Sequence, residues 1–168
     1  MSRIWWVVCL VVLAFASPAA ADKFFLGPFA NEAFAGGDFY TGGGVLGAYM
    51  PITIFGFDGE GEFGARFDDG ETIPQWRVAT HIAIAIIVAR LGVSYAADLP
   101  RDGAQTRYLG PELYVGLPLI GDFFGEAFFP AAGLVTRLDF PLDDAKTSPV
   151  FTIGLNLAAL FGFGDWEG

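Results

Sequence analysis

The chain has 168 residues, of which 54% are hydrophobic and only 17% are charged, and its formal net charge at neutral pH is −10. This length fits a single domain, and the acidic balance argues against nucleic acid as a partner. Soluble domains usually have about 25% charged residues, so this chain is too apolar for an ordinary soluble protein.

The N-terminus has the features of a cleavable secretory signal. Arg3 supplies a positive start, residues 4–15 form an unbroken apolar run, and Ala19 and Ala21 are the small residues that signal peptidase requires. The apolar run is shorter than the roughly 20 residues of a membrane-spanning helix. We therefore predict a signal peptide over residues 1–21 and one domain over residues 22–168. Cys9 lies within the signal, so the mature domain contains no disulfide.

Turn-forming segments divide the mature chain into hairpins. Four polar segments, at residues 31–38, 68–75, 98–106 and 139–149, alternate with shorter breaks near residues 50–51, 88–89 and 118–122. Alternating long and short connections are typical of up-and-down barrels of the outer membrane. Seven connections predict eight strands.

The predicted strands differ in how clearly apolar and polar residues alternate along them. The first is weakly patterned, and the second is rich in glycine, so its facing stays open. The third, FGFDGEGEFGARF, places its rings on one face and its charges on the other, which is a strand pattern. The predicted strands are residues 23–30, 39–50, 55–67, the two halves of 76–99 on either side of a turn at about residue 88, 107–117, 123–138 and 150–163.

Two stretches allow a second interpretation. Residues 82–91 are apolar apart from Arg90, have no Gly or Pro at the proposed turn, and could form a helix instead. In the seventh strand, Glu126 and Arg137 have opposite parity. Both can face the same side only if a β-bulge, which we place around Pro130, shifts the register between them.

Alternation alone does not say which face is outside. A soluble lipocalin-like barrel that binds an apolar ligand has the same period with the apolar face inward. Here the apolar face carries Phe, Ile and Leu on at least five strands, too much volume for the interior of eight strands. The other face is mostly small residues with a few charges. We therefore predict an all-β, eight-stranded antiparallel up-and-down transmembrane β-barrel, and we keep the soluble barrel as the alternative.

The predicted interior carries charges of both signs. Turn positions place Arg77 opposite Asp98, His81 opposite Ser94, and Glu62 near His81. Such pairs would plug the lumen, so we expect a structural ion-pair network and no open pore. The predicted network comprises Asp58, Glu60, Glu62, Arg66, Arg77, His81, Arg90, Asp98, Glu112 and Glu126.

A different use of the same residues is a hydrolytic triad of Glu62, His81 and Ser94, which have the residue types of an orienter, a base and a nucleophile. Outer-membrane lipid A deacylases use such a trio, but Ala83 stands where their His-X-Ser-Asn pattern requires serine. We expect no enzyme activity and no cofactor. The single histidine excludes a multi-histidine zinc site, and acidic pairs such as Asp143 and Asp144 are read as solvated loop residues.

The signal peptide, the alternation and the spacing of the turns together resemble small outer-membrane β-barrels of the OmpA, OmpX and OmpW types. The resemblance covers the chain from Asp22 onward and contains no specific motif. It implies a structural or surface-interaction role in the outer membrane of a Gram-negative envelope. It also implies contact with lipid and lipopolysaccharide, and with the barrel-assembly machinery during biogenesis. The chain departs from the pattern at its end, where five residues follow Phe163.

Overall fold

A computed structural model describes residues 23–52, 55–68, 70–84, 88–101, 105–119, 128–143 and 148–163. The predicted signal peptide and Glu126 lie outside these residues. Eight strands pair antiparallel with their sequence neighbours, and β1 pairs with β8, which closes the barrel. No helix in the described part of the chain could cross a bilayer. The strands are β1 (Lys23–Ala35), β2 (Asp38–Ile52), β3 (Phe55–Asp68), β4 (Glu71–Ile84), β5 (Ala89–Asp98), β6 (Arg107–Pro118), β7 (Phe128–Pro141) and β8 (Val150–Phe163).

The predicted fold class and facing are confirmed. Along β8, Phe151, Ile153 and Leu155 are exposed on the barrel exterior, whereas Thr152 and Asn156 are buried in the lumen. The same alternation runs through β3 to β7, because a strand turns successive side chains to opposite faces. A lipocalin-like barrel needs the opposite facing, so the soluble alternative does not fit this structure.

Two local expectations are corrected, and one alternative is excluded. Residues 31–35 belong to β1 rather than to a loop, and the first turn contains only Gly36 and Gly37, both with positive φ. The register of β7 against β8 is continuous through Pro130, and its register against β6 does not shift between Ala131 and Pro141, so the predicted bulge is absent from the described part of β7. The two strands predicted within residues 76–99 are present, because β4 continues to Ile84 and β5 begins at Ala89, which excludes the alternative of a helix over residues 82–91.

The connections lie at two ends of the barrel. The loop end carries residues 36–37, 69–70, 99–106 and 142–149, and the terminal end carries residues 53–54, 85–88 and 119–127 together with Lys23 and Phe163. Two of the four predicted long connections are therefore two-residue turns. The predicted alternation of long and short loops is wrong, although the number of strands is right.

Small residues in the wall give the interior side chains room. The Tyr114 ring points inward and lies against Gly116 and Gly133 of the paired strands β6 and β7. A Cβ at either glycine would collide with this ring. These two glycines therefore let a large aromatic side chain fit inside a narrow barrel.

We expect Gly133→Ala to lower the free energy of unfolding by about 1–3 kcal/mol, because the new methyl group overpacks against Tyr114. Urea unfolding of the refolded barrel in detergent would measure the change. Gly61→Ala is the matched control, since no atom lies within 4 Å of its Cβ position. The explanation fails if Gly133→Ala costs as much in a Tyr114→Ala background as in the wild type.

Candidate functional site in the barrel lumen

Arg137 is the hub of the central lumen. Its Nε donates to Glu112 Oε2 at 2.8 Å, and its Nη2 donates to Glu62 Oε2 at 3.2 Å. Glu62 also accepts a hydrogen bond from Asn31 Nδ2 at 3.1 Å. These four side chains come from β1, β3, β6 and β7, and all are buried. The contacts therefore tie opposite walls of the barrel together across its axis.

A second group of polar contacts lies toward the loop end. Arg77 holds Asp139 through two hydrogen bonds, of 3.0 Å and 2.9 Å, and donates to Ser94 Oγ at 2.8 Å. Asp98 accepts from Gln75 Nε2 at 2.7 Å and forms an ion pair with Arg66 at 3.0 Å. The two-point contact with a carboxylate is the strongest geometry available to a guanidinium group.

A third group surrounds His81, between the central group and the terminal end. His81 Nδ1 lies 2.5 Å from Asp58 Oδ1, and Nε2 lies 3.5 Å from Glu112 Oε1. Arg90 Nη1 donates to Glu60 Oε2 at 3.0 Å, and its guanidinium lies 4.2 Å from the centre of the Tyr114 ring. All these groups are buried, so they interact where water screens them little.

The lumen at the terminal end is apolar instead. Buried side chains from β1, β2, β4 and β8 pack together between the terminal end and the level of His81 and Asp58. Phe129 of β7 packs against them. This layer closes the barrel by packing, and it keeps water away from the charged groups above it. The apolar cluster consists of Phe25, Phe29, Leu46, Ala48, Met50, Ala83 and Leu160.

The structure places nine of the ten predicted network residues inside the barrel, and the tenth, Glu126, is outside the described residues. Sequence reasoning missed Asn31 and Gln75, which it assigned to loops. It did not include Arg137 in the network, although the assumed bulge would turn Arg137 inward, and it placed Asp139 at the start of a loop. Asp139 is two residues after Arg137, so the two side chains share one face of the strand, and this spacing was the available sequence signal for Asp139.

The proposed triad does not assemble. Ser94 Oγ accepts from Arg77, Glu62 binds Asn31 and Arg137, and the His81 nitrogens face Asp58 and Glu112. The two predicted pairings between β4 and β5 are two residues off, because Asp98 lies opposite Gln75 and His81 lies opposite Gly92. The register between β4 and β5 therefore differs by two residues from the predicted one, and a shift of two residues keeps the facing while it changes every partner. Glu62 lies opposite Arg77 rather than near His81.

One strong contact lies outside the barrel, near the loop end. The Arg107 side chain donates to Asp143 Oδ1 at 2.6 Å, and the Arg107 backbone N–H donates to Oδ2 at 2.7 Å. These hydrogen bonds hold the pKa of Asp143 below its usual range. The contact is therefore present at neutral pH and is lost as the pH falls through that lowered pKa.

Comparisons with known proteins are sparse. No family model and no curated protein matches the chain. Among solved structures, the N-terminal β-barrel domain of Pseudomonas aeruginosa OprF matches with 15% identity and a TM-score of 0.40, over 84% of this chain and 98% of that one. Ail, the attachment invasion locus protein of Yersinia pestis, in complex with the heparin analogue sucrose octasulfate, matches with 12% identity and a TM-score of 0.47, over 86% of this chain and 100% of that one.

The assignment of architecture therefore depends on the chain's own strand pairing and facing. Eight antiparallel strands close on themselves, the exterior of the wall is apolar, and the polar side chains are inside. Its plan is that of a small outer-membrane β-barrel. The apolar exterior suits a wall that contacts hydrocarbon. Closure suits it too, because a closed barrel leaves no backbone hydrogen-bonding group unpaired at a sheet edge.

Proposed function

We propose that this protein is an integral outer-membrane barrel with a structural or surface-interaction role that is carried by its loop end. The observation that carries the proposal is the apolar exterior, which has exposed Phe, Leu, Ile and Val side chains on every strand around the closed wall. Water does not favour such a continuous apolar surface, whereas lipid does. Exterior rings near both ends, such as Phe39 with Phe67 and Phe24 with Tyr49, suit the two membrane interfaces.

We propose that side chains fill the lumen, so that the barrel is not an open pore. Arg137 spans it at the centre, the Arg77–Asp139 pair fills it toward the loop end, and the apolar cluster fills the terminal end. The cavity beside Tyr40, Arg66 and Arg77 has a volume of only about 20 Å³, roughly that of one water molecule. We therefore propose a role without solute conduction. In planar bilayers, the refolded protein should give no stable channel currents.

We further propose that the terminal end faces the periplasm. A chain exported through its signal peptide reaches the membrane from the periplasmic side, where the barrel-assembly machinery would insert it. Insertion with both chain ends on that side moves only hairpins across the bilayer. The loop end would then contact lipopolysaccharide and partners outside the cell.

Trypsin can test this orientation, because the connections of the two ends differ in their cleavage sites. Arg101 and Lys146 lie in the connections 99–106 and 142–149, whereas residues 53–54, 85–88 and 119–127 contain no Lys or Arg. We expect trypsin added to intact cells to cut the protein, with fragments that map to these two sites by mass spectrometry.

The matched control carries both Arg101→Gln and Lys146→Gln and should resist the same treatment. Wild-type and control protein should both stay in the membrane fraction after alkaline washing, require detergent for extraction, and migrate faster in gels before boiling than after it. Cleavage only after the outer membrane is permeabilised would contradict the orientation. Recovery as a soluble protein without detergent would contradict the membrane assignment itself.

A further inference from the structure

One charged side chain faces outward from within a strand. Glu32 of β1 is exposed, whereas its sequence neighbours Asn31 and Ala33 are buried in the lumen. Away from the strand ends, Glu32 is the only charged side chain on the exterior of the described wall. It forms no hydrogen bond or ion pair with any described residue. Because an ionisable side chain that faces lipid is costly, Glu32 indicates a contact with a group outside the chain.

Glu32 lies just inside the belt of aromatic side chains at the loop end. Phe34, two residues further along β1, contacts Phe39, whose ring stacks on that of Phe67. Two residues span about 7 Å along a strand, so Glu32 lies on the hydrocarbon side of the membrane interface proposed for these rings. Acyl chains offer no donor to its carboxyl group, and headgroup phosphates repel it. The wall of a second protein can supply a donor.

A donor lies beside Glu32 on the same wall. Thr41 of β2 is the register partner of Glu32 and also faces outward, and its hydroxyl group forms no hydrogen bond within the described chain. A two-fold axis that runs parallel to the barrel axis and passes between these two residues would set each Glu32 against a Thr41 of the other copy. Such a contact is isologous, so one pair of residues supplies the acceptors and the donors of both copies.

The wall on the β2 side of Glu32 carries small side chains. Ala30 of β1 lies opposite Gly43 of β2, and Ala65 of β3 lies opposite Thr41. All three small residues are on the exterior, because each alternates with a neighbour that faces the lumen. A second wall can therefore approach closely enough here for the Glu32 carboxyl group and the Thr41 hydroxyl group to meet their counterparts.

We propose that a second copy of this chain docks on the exterior of β1 and β2, so that the barrel is a two-fold dimer in the membrane. Glu32 of each copy accepts a hydrogen bond from Thr41 of the partner subunit. The two carboxyl groups lie on the diagonal of this contact, so each is nearer to a hydroxyl group than to the other carboxyl group. The inference rests on the membrane location proposed above, because a carboxylate that faces water needs no partner.

Sedimentation equilibrium of the refolded protein in density-matched detergent micelles would measure the dissociation constant of the dimer. We expect a reversible dimer for the wild type. Thr41→Val keeps the shape of the side chain and removes the donor, and Glu32→Leu removes the acceptor. Each change should raise the dissociation constant about tenfold or more, because it removes two symmetry-related hydrogen bonds. A wild-type protein that is monomeric at every ratio of protein to detergent would overturn the proposal.

Two bulky substitutions locate the face. Ala30→Phe should hinder close approach and raise the dissociation constant, whereas Val115→Phe should leave it unchanged, since Val115 is exposed on β6, across the closed barrel from β2. The proposal fails if Val115→Phe weakens the dimer, or if Ala30→Phe, Glu32→Leu and Thr41→Val all leave it intact, because the contact then lies elsewhere.

All four variants change exterior side chains, so the barrel should still fold, and faster migration in gels before boiling than after it would check this. A wild type that needs detergent and shows this migration but stays monomeric would refute the dimer and leave the membrane assignment standing. A wild type that is soluble without detergent would refute both.

Discussion

Replacing Arg137 with methionine should lower the free energy of unfolding of the barrel by about 3–5 kcal/mol. Methionine replaces the apolar stem of the arginine and ends short of the guanidinium group, so the change removes the charge and the donors. Glu112 and Glu62 would then lose their shared guanidinium partner while they remain buried. Removing one member of a buried ion pair is costly because the remaining charge has neither water nor a partner.

Reversible urea unfolding of the barrel in lipid vesicles would measure this change. Arg107→Met is the matched control, because Arg107 forms an equally close ion pair with Asp143 on the exposed surface. We expect the control to change stability little, since water and salt screen an exposed pair. Adding Glu112→Gln to Arg137→Met should restore part of the loss. The ion-pair account fails if Arg137→Met is no more destabilising than Arg107→Met.

Replacing Leu113 with arginine should cost about 2–4 kcal/mol, the range for a basic residue on the lipid face at the middle of the bilayer. Leu113 follows Glu112 on β6 and faces outward. Its inward neighbour lies at the level of the central network, so Leu113 lies near the middle of the wall. The same change on a water-exposed surface would leave stability nearly unaltered.

Leu109→Arg is the matched control, because Leu109 is on the same face of β6 but nearer the loop end. We expect a clearly smaller loss there, since the cost of a charge falls toward the membrane interface. The measurement is again urea unfolding in vesicles of defined thickness. Equal stability of Leu113→Arg and the wild type would show that this wall does not contact hydrocarbon.

The facing of most side chains could be predicted from the sequence, because it is a local property. Phe63 and Glu62 of β3 turn to opposite faces whatever their neighbours do, and the same holds for Ile153 and Thr152 of β8. The locally weak patterns gave the errors. Asn31 was assigned to a loop because it begins a polar segment, although Asn31 faces the lumen and Phe34 faces outward within one strand.

The partners could not be predicted in this way. Arg77 lies opposite Ala96 rather than Asp98, because the exact position of the turn sets the register and an apolar run contains no signal for that position. Its ion-pair partner is Asp139, which is 62 residues away in sequence. The barrel interior is narrow enough for two side chains to meet across it, so closure of the wall selects such pairs.

The sequence by itself determined eight strands, an apolar exterior and a charged interior, because a strand has a side-chain period of two and its residues sort by polarity without reference to distant strands. Only the tertiary structure decided which charges meet and that the terminal end is filled by Phe25 and Phe29. Register and closure create those contacts, and both depend on the geometry of all eight strands at once.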